Sequence, residues 1–270
     1  MQNESKAAKT TSILAVGDSM TSYMGQILES FCVDTKVYNA GIGGTTAEQW
    51  ASYTQDDIVG CGSNWDVVYI SVGGNDLLES GCTLNSIELK SRMENAVTNI
   101  VKNLAPGASR YIMTGYCMPS AAEESGDSGC SNPSDYAALS DAIRALSAES
   151  VGVPSTATLE VIDSFAVCGG SVSSFSNEAY FQDSVHLNAK GYCKVFSQPS
   201  VQTALTCNSA NGHDCDSLDG AEIYGLEDNC LSGGGGSGSG DSTTSSGALL
   251  KFSKMFFDML NVILVLMMNR

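Results

Sequence analysis

Residues 13–19 read I-L-A-V-G-D-S, an apolar run that ends abruptly on Gly-Asp-Ser. A short apolar run bounded by a turn signal reads as a buried strand, and the pattern after it reads as a helix. The closing triplet has two readings. Asp and Ser are preferred helix N-caps and glycine serves tight turns, so Ser19 can be a capping residue. Alternatively, Ser19 is a nucleophile held at the mouth of a sheet. Taken alone the stretch favours capping, and the rest of the chain must decide.

Working outward, β-branched apolar runs recur at residues 36–38, 66–72, 109–114 and 158–162, so that 12–16 is the first of five short strands. Helical periodicity lies between and beyond them. Over 84–104 an apolar stripe of Leu84, Ile87, Met93, Val97, Ile100, Val101 and Leu104 stops at Pro106-Gly107. Further helices are expected at 20–31, at 134–147 on a stripe of Tyr136, Leu139, Ile143 and Leu146, and at 188–205. Strand and helix in alternation predict an α/β domain with a parallel sheet covered on both faces. Ligands bind such sheets beyond the carboxyl ends of the strands.

The loops at that end carry N-A-G-I-G-G-T-T at 39–46, G-G-N-D at 73–76 and D-S-V-H-L-N at 183–188. Each has an ordinary explanation as a turn or an Asx motif. Together with Gly17-Asp18-Ser19, however, the sequence resembles the SGNH hydrolase superfamily, of the GDSL esterase/lipase type. Its marker residues would be Ser19, Gly44, Asn75 and His186, in that chain order, over about residues 12–205. The resemblance implies a three-layer α/β/α sandwich with a parallel five-stranded, flavodoxin-like sheet. It also implies hydrolysis of carboxylic esters through an acyl-serine, with no cofactor. An oxyanion hole would comprise the backbone N–H groups of Ser19 and Gly44 and the side-chain amide of Asn75.

The residue types suit that chemistry. A serine hydroxyl is a weak nucleophile and needs a base. His186 is one of two histidines, and the other, His213, sits in an acidic segment. Asp183, three residues before His186, can reach back to the imidazole and fix its tautomer. Glycine at 44 would let the backbone approach the substrate oxygen. Competing patterns fail: G-I-G-G-T-T lacks the last glycine of a dinucleotide fingerprint, no P-loop is present, and Ser19 is not in G-x-S-x-G. The acidic residues Asp214, Asp216 and Asp219 read as a solvated segment rather than a calcium site. A lipase, thioesterase or acyltransferase of the same fold, and a non-catalytic carbohydrate- or lipid-binding relative, stay as alternatives.

Composition sets the surroundings. The 270 residues are 43% hydrophobic, enough for one sizeable core. Thirteen Lys and Arg against 30 Asp and Glu leave a net charge of -17, which excludes nucleic acid as a partner. Ten cysteines without a C-x-x-C pair point to disulfides and an oxidising compartment, hence a secreted or cell-surface protein. The cysteines of the body and of the tail are both odd in number, so full pairing requires a bridge between tail and body. Residues 1–11 are polar and show no apolar leader, so secretion presumes a leader lost from the chain.

Beyond the body lie an acidic Cys-rich tail (206–231), a Gly/Ser linker (232–248) and a hydrophobic segment (249–270). The last permits membrane association, docking, or a GPI-attachment signal with Ser245, Ser246 or Gly247 at the site. The expected substrate is a small-molecule or glycan ester, with a tilt toward acetyl or short acyl groups on extracellular glycans. Thr21, Tyr23, Trp50 and residues 77–83 and 117–132 are expected to wall the pocket.

Overall fold

Strand β1 (Thr11–Gly17) buries Ile13, Leu14, Ala15 and Val16 completely. A strand covered on both faces needs apolar residues at consecutive positions, which is why its run does not alternate. In the computed structural model, which describes residues 10–32, 34–121, 130–205, 215 and 230–232, β1 is the second strand of a five-stranded sheet. Strands β2 (Thr35–Gly41), β3 (Val67–Ser71), β4 (Arg110–Thr114) and β5 (Thr158–Ile162) complete it in the order β2-β1-β3-β4-β5, all parallel.

The pleat sorts β1 between two cores. Leu14 and Val16 join Trp50, Met93, Val97 and Ile100 beneath α2 (Ala47–Trp50), α4 (Ser86–Asn99) and α5 (Ala137–Arg144). Ile13 and Ala15 join Met24, Leu28, Phe31 and Phe196 beneath α1 (Ser19–Phe31), α6 (Ala189–Phe196) and α7 (Pro199–Leu205). The result is the expected three-layer sandwich. The chain leaves β1 for one face through α1, and leaves β3 for the other through α3 (Gly74–Glu79). Their loops part at the β1/β3 boundary and open a crevice there, as a topological switch point does.

Two helices depart from expectation. The helix of 84–104 is α-helical only to Asn99, then widens to a π turn over Ile100–Leu104, closed by Ala105 N–H donating to the Ile100 carbonyl at 2.8 Å. The helix expected over 188–205 is two, α6 and α7, broken before Pro199. Proline has no N–H to continue the ladder and disfavours helical backbone at the preceding residue, yet suits a helix start. The short helices α2 and α3 and a 3-10 segment at Gln55–Cys61 occupy stretches where no helix was expected.

Disulfides Cys82–Cys130 and Cys117–Cys168 lie within the body, while Cys61–Cys230 and Cys193–Cys215 join the tail to it. Cys32 is also disulfide-bonded. The linker from residue 233, the hydrophobic segment 249–270 with its Ser245, Ser246 and Gly247, His213, Asp214, Asp216 and Asp219, and most of the polar N-terminal segment lie outside the described residues. Among the described residues no helix is long and apolar enough to cross a membrane.

Candidate active site

The strand-to-helix turn after β1 is built on close approach. A Cβ at Gly17, whose φ is +150°, would lie 2.0 Å from the Ser71 carbonyl oxygen of β3, so only glycine lets the two strand ends converge. Asp18 takes the capping role, its Oδ1 accepting from Met20 N–H at 3.0 Å. Ser19 is thereby the first residue of α1 with its hydroxyl free for another partner, His186 Nε2, at 2.8 Å. Capping of the helix and contact with His186 thus fall to two neighbouring residues.

His186 arrives on the loop before α6. Its Nδ1 is 2.7 Å from Asp183 Oδ2, while Asp183 Oδ1 accepts from the backbone N–H of His186 at 2.6 Å and of Val185 at 2.9 Å. Burial alone would raise the Asp183 carboxyl, but those two N–H groups and the His186 ring hold it below its ordinary value. An ionised Asp183 accepts the Nδ1 proton and leaves Nε2 as acceptor toward Ser19. The rings of Tyr23 and His186 meet in a T-shaped contact with centroids 5.3 Å apart. The loop itself is pinned by Ser120 N–H to the Ser184 carbonyl and Gln182 N–H to the His186 carbonyl, both 2.9 Å.

On the far side of Ser19, Asn75 opens α3 and donates one amide proton to the Thr45 carbonyl at 2.9 Å. Its neighbour Asp76, buried, accepts from Ala47 N–H at 2.6 Å. These two bonds fasten the β2–α2 loop to α3. Gly44 in that loop has φ +76°, a left-handed conformation that favours glycine. Ser19, Gly44, Asn75 and His186 all line one cavity of about 270 Å³.

Two expected wall residues lie elsewhere. Thr21 is fully buried and its hydroxyl donates to the Val16 carbonyl at 3.3 Å. Trp50 is fully buried in the core, where its indole N–H donates to Thr45 Oγ1 at 2.9 Å and so backs the Gly44 loop instead of facing substrate. Tyr23 does line the cavity, as do Leu77, Leu78, Cys117 and Pro119 from the two expected segments. Of those segments, residues 122–129 lie outside the described residues. Reading the sequence missed Asp18, Tyr116, Tyr136, Leu139 and Phe165 as wall residues. Tyr136 and Leu139 had a visible signal, the apolar stripe of the 134–147 helix, but a stripe does not say which members pack and which face a cavity.

Asp18 is also the site's electrostatic anomaly. It is 2% exposed, and burial pushes its carboxyl up to about 6 despite bonds from the Tyr116 hydroxyl at 2.6 Å and Met20 N–H and the attraction of His186; Asp76 nearby adds to the rise. Among the described residues no group of three His, Cys, Asp or Glu could hold a metal ion.

This serine, histidine and aspartate stand in hydrogen-bonded line at the carboxyl edge of the parallel sheet, and the family match makes the class a hydrolase acting on esters. Residues 9–193 match the GDSL-like Lipase/Acylhydrolase family, and the chain belongs to it. Comparison with curated proteins gives no match. Among solved structures, a Bacteroides fragilis protein is 18% identical, with 74% of this chain and 91% of that one covered at a TM-score of 0.53. A GDSL-like lipase from Bacteroides thetaiotaomicron is 14% identical (73% and 88% covered, TM-score 0.50). A catalytic mutant of an acetylxylan esterase from Geobacillus stearothermophilus is 15% identical (74% and 96% covered, TM-score 0.50). At these identities the likeness is one of fold.

Proposed function

We propose that the protein is a serine esterase that hydrolyses carboxylic esters through an acyl-Ser19 intermediate. The observation that carries this reading is the continuous line from Asp183 through His186 to Ser19, with bonds of 2.7 and 2.8 Å. His186 Nε2 takes the Ser19 proton as Oγ attacks the ester carbonyl, and Asp183 stabilises the imidazolium that forms. The oxyanion is received by the N–H groups of Ser19 and Gly44 and by the second amide proton of Asn75. The N-terminus of α1 adds a favourable dipole at the same point. His186 then protonates the leaving alcohol, and a water activated by the same imidazole releases the acid and restores Ser19.

A site that only bound its ligand would have no use for this relay, which weighs against the non-catalytic alternative. The disulfides fit an extracellular or cell-surface setting. The glycan-deacetylase reading draws on that setting, whereas the cavity lining points to a different acyl group, as argued below. The test is hydrolysis of p-nitrophenyl esters by the purified protein beside Ser19→Ala and His186→Asn. Wild-type turnover lost in both variants supports the reading. Turnover retained by folded Ser19→Ala overturns it.

A further inference from the structure

We propose that the cavity beside Ser19 is an acyl pocket for an apolar acyl group of about six to eight carbons, a substrate class distinct from acetyl esters; this rests on the serine-esterase reading. The cavity that holds the reacting groups is also lined by Leu77 and Leu78 of α3, Tyr136 and Leu139 beside the start of α5, and Phe165 after β5. None of these five has a part in the proton relay. Their shared property is an apolar surface turned toward an open space, which an apolar ligand would remove from water.

Size narrows the class. At roughly 30 Å³ per water-sized group, 270 Å³ holds about nine such groups. An acetyl group would leave most of the apolar lining facing water, which a longer chain would cover. A six- to eight-carbon chain, or an aromatic ring of similar bulk, fills the space.

The polar groups on the wall sharpen the argument. Asp18 Oδ2 and the Tyr116 hydroxyl are bonded to each other at 2.6 Å, and Ser140 Oγ donates to Asp163 Oδ1 at 3.1 Å. These pairs satisfy one another, so this part of the wall does not require a hydroxylated ligand, as a sugar pocket would. The walls are also braced. Cys82–Cys130 ties the chain just after α3 to the segment leading into Tyr136, and Cys117–Cys168 ties the loop after β4 to the loop after β5. A pocket braced in this way is formed before the substrate arrives, which limits the ordering cost of binding.

The isomers ethyl hexanoate and hexyl acetate test the assignment, because they share composition and place the six-carbon chain on opposite sides of the ester. The measurement is kcat/KM by acid release, with ethyl acetate as the short reference and Ser19→Ala as control. A buried methylene contributes up to about fourfold, and we expect ethyl hexanoate to exceed both acetates at least tenfold. Leu78→Trp and Leu139→Phe, which add bulk at two separate walls, are each expected to lower the hexanoate-to-acetate ratio at least tenfold. Ser19-dependent activity that is highest on either acetate would overturn the acyl pocket and leave the serine esterase standing. Absence of turnover on every ester by the folded protein would overturn both.

Discussion

Replacing Asp18 with asparagine removes a buried ionisable group whose folded pKa of about 6 stands well above its ordinary 3.8. A carboxyl with a raised folded pKa favours the fold in its protonated form. That contribution is complete below the unfolded value and is lost as pH rises through about 6. A gap of about 2 units corresponds to about 3 kcal/mol, so the wild type carries that cost at neutral pH and escapes most of it near pH 4. The asparagine of Asp18→Asn can still cap α1 through its side-chain oxygen, but it no longer offers Tyr116 a carboxylate. The loss of that bond costs about 1 kcal/mol at every pH. The variant should therefore be more stable than wild type by about 2 kcal/mol at pH 8 and nearly equal or slightly weaker at pH 4. Urea unfolding with disulfides intact, followed by the fluorescence of the buried Trp50 and Trp65 across pH 4–8, measures the difference. A stability difference that does not change with pH would refute the reasoning.

Asn75→Ala removes the proposed oxyanion donor and should lower kcat by about 10²- to 10³-fold with little change in KM, as steady-state kinetics on a soluble ester would show. Asp183→Asn loses the acceptor that fixes the His186 tautomer, so kcat should fall by about 10³- to 10⁴-fold while circular dichroism stays that of the wild type. Removing Cys82–Cys130 with a double serine variant opens a loop of 48 residues and should cost up to about 4 kcal/mol in denaturant unfolding.

The five strands were legible because each is a short β-branched, apolar run, with β1, β3 and β4 buried on both faces and the edge strands β2 and β5 only in part. Ser19, Gly44, Asn75, Asp183 and His186 stood out for a different reason, the family resemblance of the motifs that carry them, and the structure brings Ser19 at the start of α1, Gly44, Asn75 near the start of α3 and His186 to one cavity. Trp50 misled because an aromatic beside a glycine loop reads equally as a wall or as support, and only its complete burial against Thr45 decides. The break at Pro199 was open to local reading, whereas the π turn at Ile100–Leu104 leaves no mark in an apolar stripe. Asp18 and Asp76 were least legible. Their roles depend on Tyr116 and Ala47, which are distant in sequence and meet them only when the sheet is assembled.

The central claim, a nucleophilic Ser19 activated by His186, is tested most directly by covalent trapping. The protein is treated with a p-nitrophenyl alkylphosphonate, and the adduct is located by peptide mass spectrometry. The account predicts a single phosphonylated residue, Ser19, with labelling that is lost in His186→Asn. A phosphonate on another residue, or unchanged labelling in His186→Asn, would contradict it.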